Sequence, residues 1–204
     1  MYPIQSDVAY TEQRNRLTVL VRLFMLIPHI IVLYLWQIAN NLSVVAQWFV
    51  ILFTGKRNEN IFNFNASFSA YSQNVGSYAL LLHDHFPAFG ESDPASPARY
   101  KAAFERKADR ITCFFRIITV IPAAVIMMFY GLAMEIITFI SWFVIVITGR
   151  QPRGMWEFNL KAMRLAVAVQ GYYYLLTDVY PWPKVAAAEP NFAGRPVETA
   201  PWKS

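Results

Sequence analysis

His83-Asp84-His85 places two imidazoles and a carboxylate within three residues, the donor types of a divalent metal site. Two other groups sit where chemistry is also conceivable. His29 lies inside a long apolar stretch, where a histidine can ligate haem or relay protons. Glu135 is the one acid of a second apolar stretch, and an ionisable group at membrane depth is a functional candidate by default. Each has a plainer reading. Of the triplet only Asp84 recurs in the second half of the chain, as Asp178 ahead of Tyr-Pro, and an aspartate before such a turn usually serves as a cap or turn acceptor. Ala123 occupies the place of His29 in the second half, and no further histidine stands at a matching depth for bis-histidine haem ligation. Cys113, the single cysteine, excludes an internal disulfide and reads as a small buried hydrophobe. No glycine-rich phosphate loop, paired-histidine zinc motif or Gly-x-Ser-x-Gly turn is present. The expectation is a protein without cofactor, metal or catalytic residues.

The elements that must position these groups are written twice. Shifting Arg16–Pro87 by 94 positions lays it on Arg110–Pro181 without a gap, with 20 of 72 positions identical. The identities fall in blocks. They include Arg16/Arg110, Arg22/Arg116, Pro28/Pro122, Trp48/Trp142, Gly55/Gly149 and Asp84/Asp178. These are the structural signature of the repeat, and a repeat decides the architecture.

The repeated unit is apolar. Hydrophobic residues make up 56% and charged residues 15% of the chain, against roughly 25% charged in soluble domains. Leu23–Phe53 carries no Asp, Glu, Lys or Arg, and Ile117–Gly149 carries only Glu135. Such runs predict membrane-embedded helix. Each is too long for one upright span of a hydrocarbon core about 30 Å thick and short for two. Charge decides between the alternatives. If each stretch doubles back, all 18 Lys and Arg lie on one side, as the positive-inside rule favours. The predicted turns fall at Ala39-Asn40-Asn41-Leu42-Ser43 and at Met134-Glu135. A re-entrant wedge is a variant of the same hairpin.

Pro28 and Pro122 mark the bend between an amphipathic helix that enters the membrane and the membrane limb. Gly55 and Gly149 read as helix C-caps. Beyond them, Ile61, Phe64, Phe68, Tyr71, Val75, Tyr78 and Leu82 fall at heptad spacing, as do their counterparts in the second half. This pattern predicts an amphipathic helix, either interfacial or packed on its twin. The fold expected is all-α and integral to the membrane, with two tandem repeats. Each repeat holds an amphipathic helix entering the membrane, a membrane hairpin and an amphipathic interfacial helix, about four membrane segments in total. The repeats cover 1–87 and 104–183, joined by a linker at 88–103 and followed by an extended or disordered tail at 184–204. Trp36, Trp48, Trp142 and Trp156 read as interfacial belt residues.

The strings Arg22-x4-Ile-Pro-His29, Gln47-Trp-Phe-x3-Phe-Thr-Gly55 and Leu81-Leu-x-Asp-x-Phe-Pro87 have partners in the second half. Those are Ser141-Trp-Phe-x3-Ile-Thr-Gly-Arg-x-Pro-Arg-Gly154 and Leu175-Leu-Thr-Asp-x-Tyr-Pro181. Together they resemble the bacterial membrane family called domain of unknown function 4389, once per repeat. The first repeat departs from the pattern, with Asn58-Glu59-Asn60 in place of Pro-Arg-Gly and His83 in place of Thr. The resemblance implies a membrane context and no mechanism.

The net charge of +5 sits beside the apolar stretches. Arg16, Arg22, Lys56, Arg57, Arg110, Arg116, Arg150 and Arg153 therefore read as anchors for anionic lipid, not as nucleic-acid contacts. Asn40, Asn41 and Glu135 are the polar groups within the membrane. The function expected is an accessory or scaffold subunit of a bacterial inner-membrane complex, multi-pass with cytoplasmic termini, its partners anionic lipids and other membrane subunits. The alternative is a component of a lipid or small-solute transporter or channel.

Overall fold

The structure, a computed structural model, describes residues 2–90 and 95–182. Its elements are β1 (Ile4–Val8), α1 (Arg16–Thr54), α2 (Glu59–Ala79), β2 (Ala98–Ala102), α3 (Arg110–Thr148) and α4 (Arg153–Tyr173). Each element of the first half recurs 94 positions on, strands included. The duplication is thus wider than the dense identities from residue 16 onward; ahead of them only Pro3/Pro97 and Ala9/Ala103 match.

Local chemistry sets the helix ends. Asn15 and Asp109 cap α1 and α3 by accepting from backbone N–H groups of the first turn, and Asn58 does the same for α2. Gly55 and Gly149 close the long helices in the left-handed region, at φ +69° and +74°, each N–H donating to Ile51 and Ile145 respectively.

The expected hairpins are absent. α1 and α3 are unbroken helices of 39 residues, about 58 Å long, and the entering helix and the membrane limb are one element. Pro28 and Pro122 lie in their interiors. A proline removes one hydrogen bond, and here inward contacts on either side hold the axis: Arg22 and Leu26 before Pro28, His29 after it. Asn40 and Asn41 do not turn the chain. Asn40 is fully buried on the same inward line as Trp36, Val44 and Gln47, while Asn41 accepts from Gln37 one turn earlier. Tertiary packing of a continuous inward stripe overrides a local turn signal.

The molecule has three layers. β1 and β2 form an antiparallel ribbon with Ser6 opposite Tyr100. β1 packs on α4 and β2 on α2, so the strands are exchanged between the copies. Tyr2 donates to Ala168, Arg164 pairs with Asp7 at 2.7 Å, and Gln73 donates to the Arg99 carbonyl. At Gly171 the absence of a side chain lets Ile4 seat directly on α4. α2 and α4 form the middle layer. They pack on each other, and part of their polar faces is bonded internally: Asn65 donates to the Tyr174 carbonyl, and Asn159 to the Leu80 carbonyl and the Thr138 hydroxyl. α1 and α3 form the outer layer, antiparallel and in contact at both ends.

Ser6 and Tyr100 are equivalent residues 94 apart, and they face each other. Opposed residues of an antiparallel ladder point to the same face, so the pseudo-two-fold axis stands normal to the sheet. Both copies therefore stack their layers in the same order, and α1 and α3 face outward on the same side. The main core lies between the sheet and the helices, with Ile4, Val8, Phe62, Phe68, Leu160, Met163 and Leu176 at its centre.

Several sequence expectations change with this architecture. The segment 88–103 contains β2 and is not merely a linker. Trp48 and Trp142 are not belt residues. Their indoles donate to the Cys113 and Val19 carbonyls, stitching the two long helices together, and Trp156 donates to the Leu82 carbonyl inside the core. The tail at 184–204 lies outside the described residues.

Candidate functional site

Arg22 of α1 and Arg116 of α3 each close an ion clasp, one at each end of the α1–α3 pair. Each begins where α2 or α4 stops. Leu81 and Leu175 adopt φ of +60° and +62°, a region that side chains rarely enter. Their side chains are almost fully buried beside Val19 and Ile145, or Ile51 and Cys113, and this burial offsets the strain. The left-handed residue turns the chain so that the aspartate three positions later points back at the helix.

Asp84 meets the Arg22 guanidinium at 2.6 Å, and its second oxygen accepts from the Asn15 N–H. Arg22 lies over the Tyr78 ring, 4.2 Å from its centroid, and donates to the Tyr78 carbonyl. The second clasp repeats this geometry. Arg116 reaches Asp178 at 2.5 Å, lies 4.3 Å from the Tyr172 centroid, and donates to the Tyr172 carbonyl. The Asp109 N–H takes the second oxygen of Asp178.

The copies differ in their second cation. Arg57 pairs with Asp178 at 2.6 Å and donates to the Leu175 carbonyl. The position equivalent to Arg57 is Gln151, whose buried side-chain amide has no partner among the described residues. Arg14 serves the first clasp instead, donating to the Leu82 carbonyl. Burial depresses its pKa and the nearby Asp84 opposes that shift. Its own equivalent in the second copy is Ala108.

The family described as Domain of unknown function (DUF4389) matches residues 16–90 and again residues 110–184. The chain belongs to this family. Each DUF4389 copy contains one long helix, one inner helix and one Arg–Asp clasp, so both partners of the shared ion pair are internal to the family unit. The exchanged strands lie outside both matched segments, and so does Arg14. No curated protein and no solved structure matches the chain.

The candidate residues divide sharply. Arg22, Arg57 and Arg116, expected to anchor lipid, are buried in the clasps. They are held there because Asp84 and Asp178 offer each a counter-charge that lipid headgroups cannot supply from outside. Arg16, Lys56, Arg110, Arg150 and Arg153 are exposed at the helix ends. Arg16 and Arg110 lie across Gly149 and Gly55 of the opposite helix.

The His83-Asp84-His85 triplet is pulled apart. His83 is buried, bonds Ser77 through Nε2 at 2.8 Å, and has its pKa pushed down to about 3 by burial and by the nearby Arg22 and Arg14 charges. Asp84 points to Arg22. Among the described residues no three His, Cys, Asp or Glu groups converge. His29 is fully buried, with Nδ1 bonded to the Tyr71 hydroxyl at 2.7 Å and its ring stacked on Phe89. Glu135 and its equivalent Asn41 are exposed, on opposite long helices. An open cavity of about 400 Å³ lies at the C-terminal end of α1, lined by Thr54, Lys56, Asn58, Glu59 and Arg106 among others.

Sequence reasoning found the arginines and aspartates of the clasps without pairing them. It missed Arg14, the tyrosine platforms and the left-handed leucines. The signal was present in part: Arg22, Tyr78, Leu81 and Asp84 all lie in identity blocks shared by the two repeats.

The outermost surface is the remaining feature. The two long helices are each long and apolar enough to cross a membrane. From Leu17 to Phe53 the exposed residues of α1 are apolar but for Tyr34 and Asn41. The polar residues Arg22, His29, Asn40 and Gln47 all point inward.

Proposed function

We propose that the protein is a non-catalytic membrane protein, an accessory or scaffold subunit of a bacterial inner-membrane complex. One observation carries this reading: α1 and α3 turn their polar residues inward and their apolar residues outward, the reverse of a water-soluble surface. The clasps support a structural role for the buried charges, since both aspartates are engaged by arginine and by backbone N–H and hold no open position for a substrate. The exposed arginines and lysines at the helix ends suit anionic headgroups. The sheet and inner helices form the face available to partner subunits in water.

Native purification in mild detergent, followed by mass spectrometry and an absorption spectrum, tests the proposal. Recovery in the membrane fraction with stoichiometric partner subunits is the expected result. Recovery as a lone particle that moves lipid or solute across vesicles in a Glu135-dependent way favours a transporter component. A Soret band would overturn the cofactor-free reading.

A further inference from the structure

Resting on the membrane reading above, we infer that α1 and α3 do not cross the bilayer. They lie side by side in the plane of one leaflet, the sheet and inner helices in water above them. The pseudo-two-fold axis normal to the layers presents both outer faces in the same direction. On α1 the line furthest from the protein carries Phe24, Ile31, Leu35, Leu42 and Phe49. Its equivalent on α3 carries Ile118, Val125, Phe129, Ile136 and Phe143. Neither line holds a charge.

Length argues against crossing. The apolar face from Leu17 to Phe53 extends about 55 Å, while a bilayer offers about 30 Å of hydrocarbon. Position argues more strongly. Lys161 is exposed on α4 abreast of the middle of α3, just past Phe158 and Asn159, which contact Tyr130 and Thr138 of α3. Lys101 is exposed on β2, one residue from Tyr100 and so beside the pseudo-two-fold axis. An upright α3 would carry both layers, with these charges, into the bilayer centre. A flat α3 keeps them in water.

Glu135 and Asn41 fit the flat arrangement. Each follows by one residue the inward position of its helix, so each projects about 100° from the inward direction. That is the flank, level with the headgroups, and not the line that faces the acyl chains. Exposed basic residues stand at both ends of the helix pair, Arg16 and Arg150 at one and Lys56, Lys107 and Arg110 at the other. A flat orientation sets both ends at the same headgroup plane, where anionic lipid complements them. A leaflet is therefore the occupant that the face fits.

The test is a depth profile. The full chain is reconstituted into vesicles of phosphatidylcholine and phosphatidylglycerol. Single cysteines at Phe24, Leu35, Phe49, Ile118, Phe129 and Phe143 carry a fluorophore, and lipids bearing nitroxides at shallow or deep acyl positions quench it. Cys113 is fully buried and leaves little background. The expected result is one ratio of shallow to deep quenching at all six sites, and a shallower ratio for labels at Asn41 and Glu135. A profile deepest at Leu35 and Phe129 and shallow at the ends overturns the inference and leaves the membrane reading intact. Vesicle-bound protein whose six labels escape lipid quenching also overturns it, because another polypeptide then covers the face. Protein that stays out of the vesicles sinks the membrane reading itself.

Discussion

The clasp at Asp84 and the clasp at Asp178 are built at the same places in the two copies, yet they draw their second cation from different parts of the chain. In the second copy Arg57 reaches in from the loop after α1 and pairs directly with the carboxylate. In the first, Arg14 arrives from the segment before α1 and is held by the Leu82 carbonyl. The vacated positions became Ala108 and Gln151. A half-buried carboxylate facing a buried arginine is a strong constraint, since losing the carboxylate strands the buried guanidinium. Where the supporting cation originates is a weak constraint: Arg14 is held by the Leu82 carbonyl and Arg57 by the Leu175 carbonyl, neighbouring rather than equivalent positions of the same turn. Duplicated copies can therefore diverge in the support while keeping the pair.

Breaking the pair is expected to have the largest effect. Asp178→Asn leaves Arg116 and Arg57 without their counter-charge and should cost about 4–5 kcal/mol, measured by urea unfolding in detergent. Asp84→Asn, with one direct partner, should cost less, about 3 kcal/mol. Equal losses would show that the second cation does not matter. The support itself comes next. Arg57→Gln should cost about 3 kcal/mol. Adding Ala108→Arg, which moves the cation to its place in the other copy, should restore more than half of that; no recovery would refute the interchange.

His83 makes the copies differ in pH response, because Thr177 occupies its place in the second. Folding lowers the imidazole pKa from 6.5 to about 3, so between these values the unfolded chain holds more protons. The stabilisation from neutral His83 is complete above pH 6.5 and is lost as pH falls below it. At pH 5 the loss relative to pH 8 should be about 2 kcal/mol. His83→Thr should flatten that slope, read from unfolding midpoints at the two pH values. The smallest effect is a symmetric one. Gly55→Ala and Gly149→Ala place a Cβ at positive φ, 3.1 Å and 3.0 Å from the guanidinium nitrogens of Arg110 and Arg16. Each should cost about 1–2 kcal/mol, and the two costs should agree.

Much of the fold is legible in the sequence where a residue type has one dominant use. Gly55 and Gly149 mark helix ends, and the heptad of Phe68, Tyr71, Val75 and Tyr78 marks the inner helix. The membrane hairpins fail because Asn40-Asn41 and the mid-helix proline carry local turn signals, whereas their fate is set by inward contacts more than 20 residues away in sequence, such as Ser43 with Asn65. The strands are illegible for a related reason. Ile4–Val8 and Ala98–Ala102 share no identical residue, and their pairing joins segments 94 positions apart, which no local pattern signals. Arg22 and Arg116 illustrate the opposite error: a basic residue beside an apolar run suggests a headgroup contact, and only the left-handed turn at Leu81 or Leu175 shows that a carboxylate folds back onto it.

The exchanged strands have a consequence for the order of events on the ribosome. β1 is synthesised first, yet its seat on α4 includes Gly171, near the end of the described chain. At translation speeds of 5–20 residues per second, the ribbon partner and the docking helix are complete only about 10–30 s after β1 emerges. The opening segment must wait unpaired through that interval, and neither half of the chain can finish folding until the other has been made.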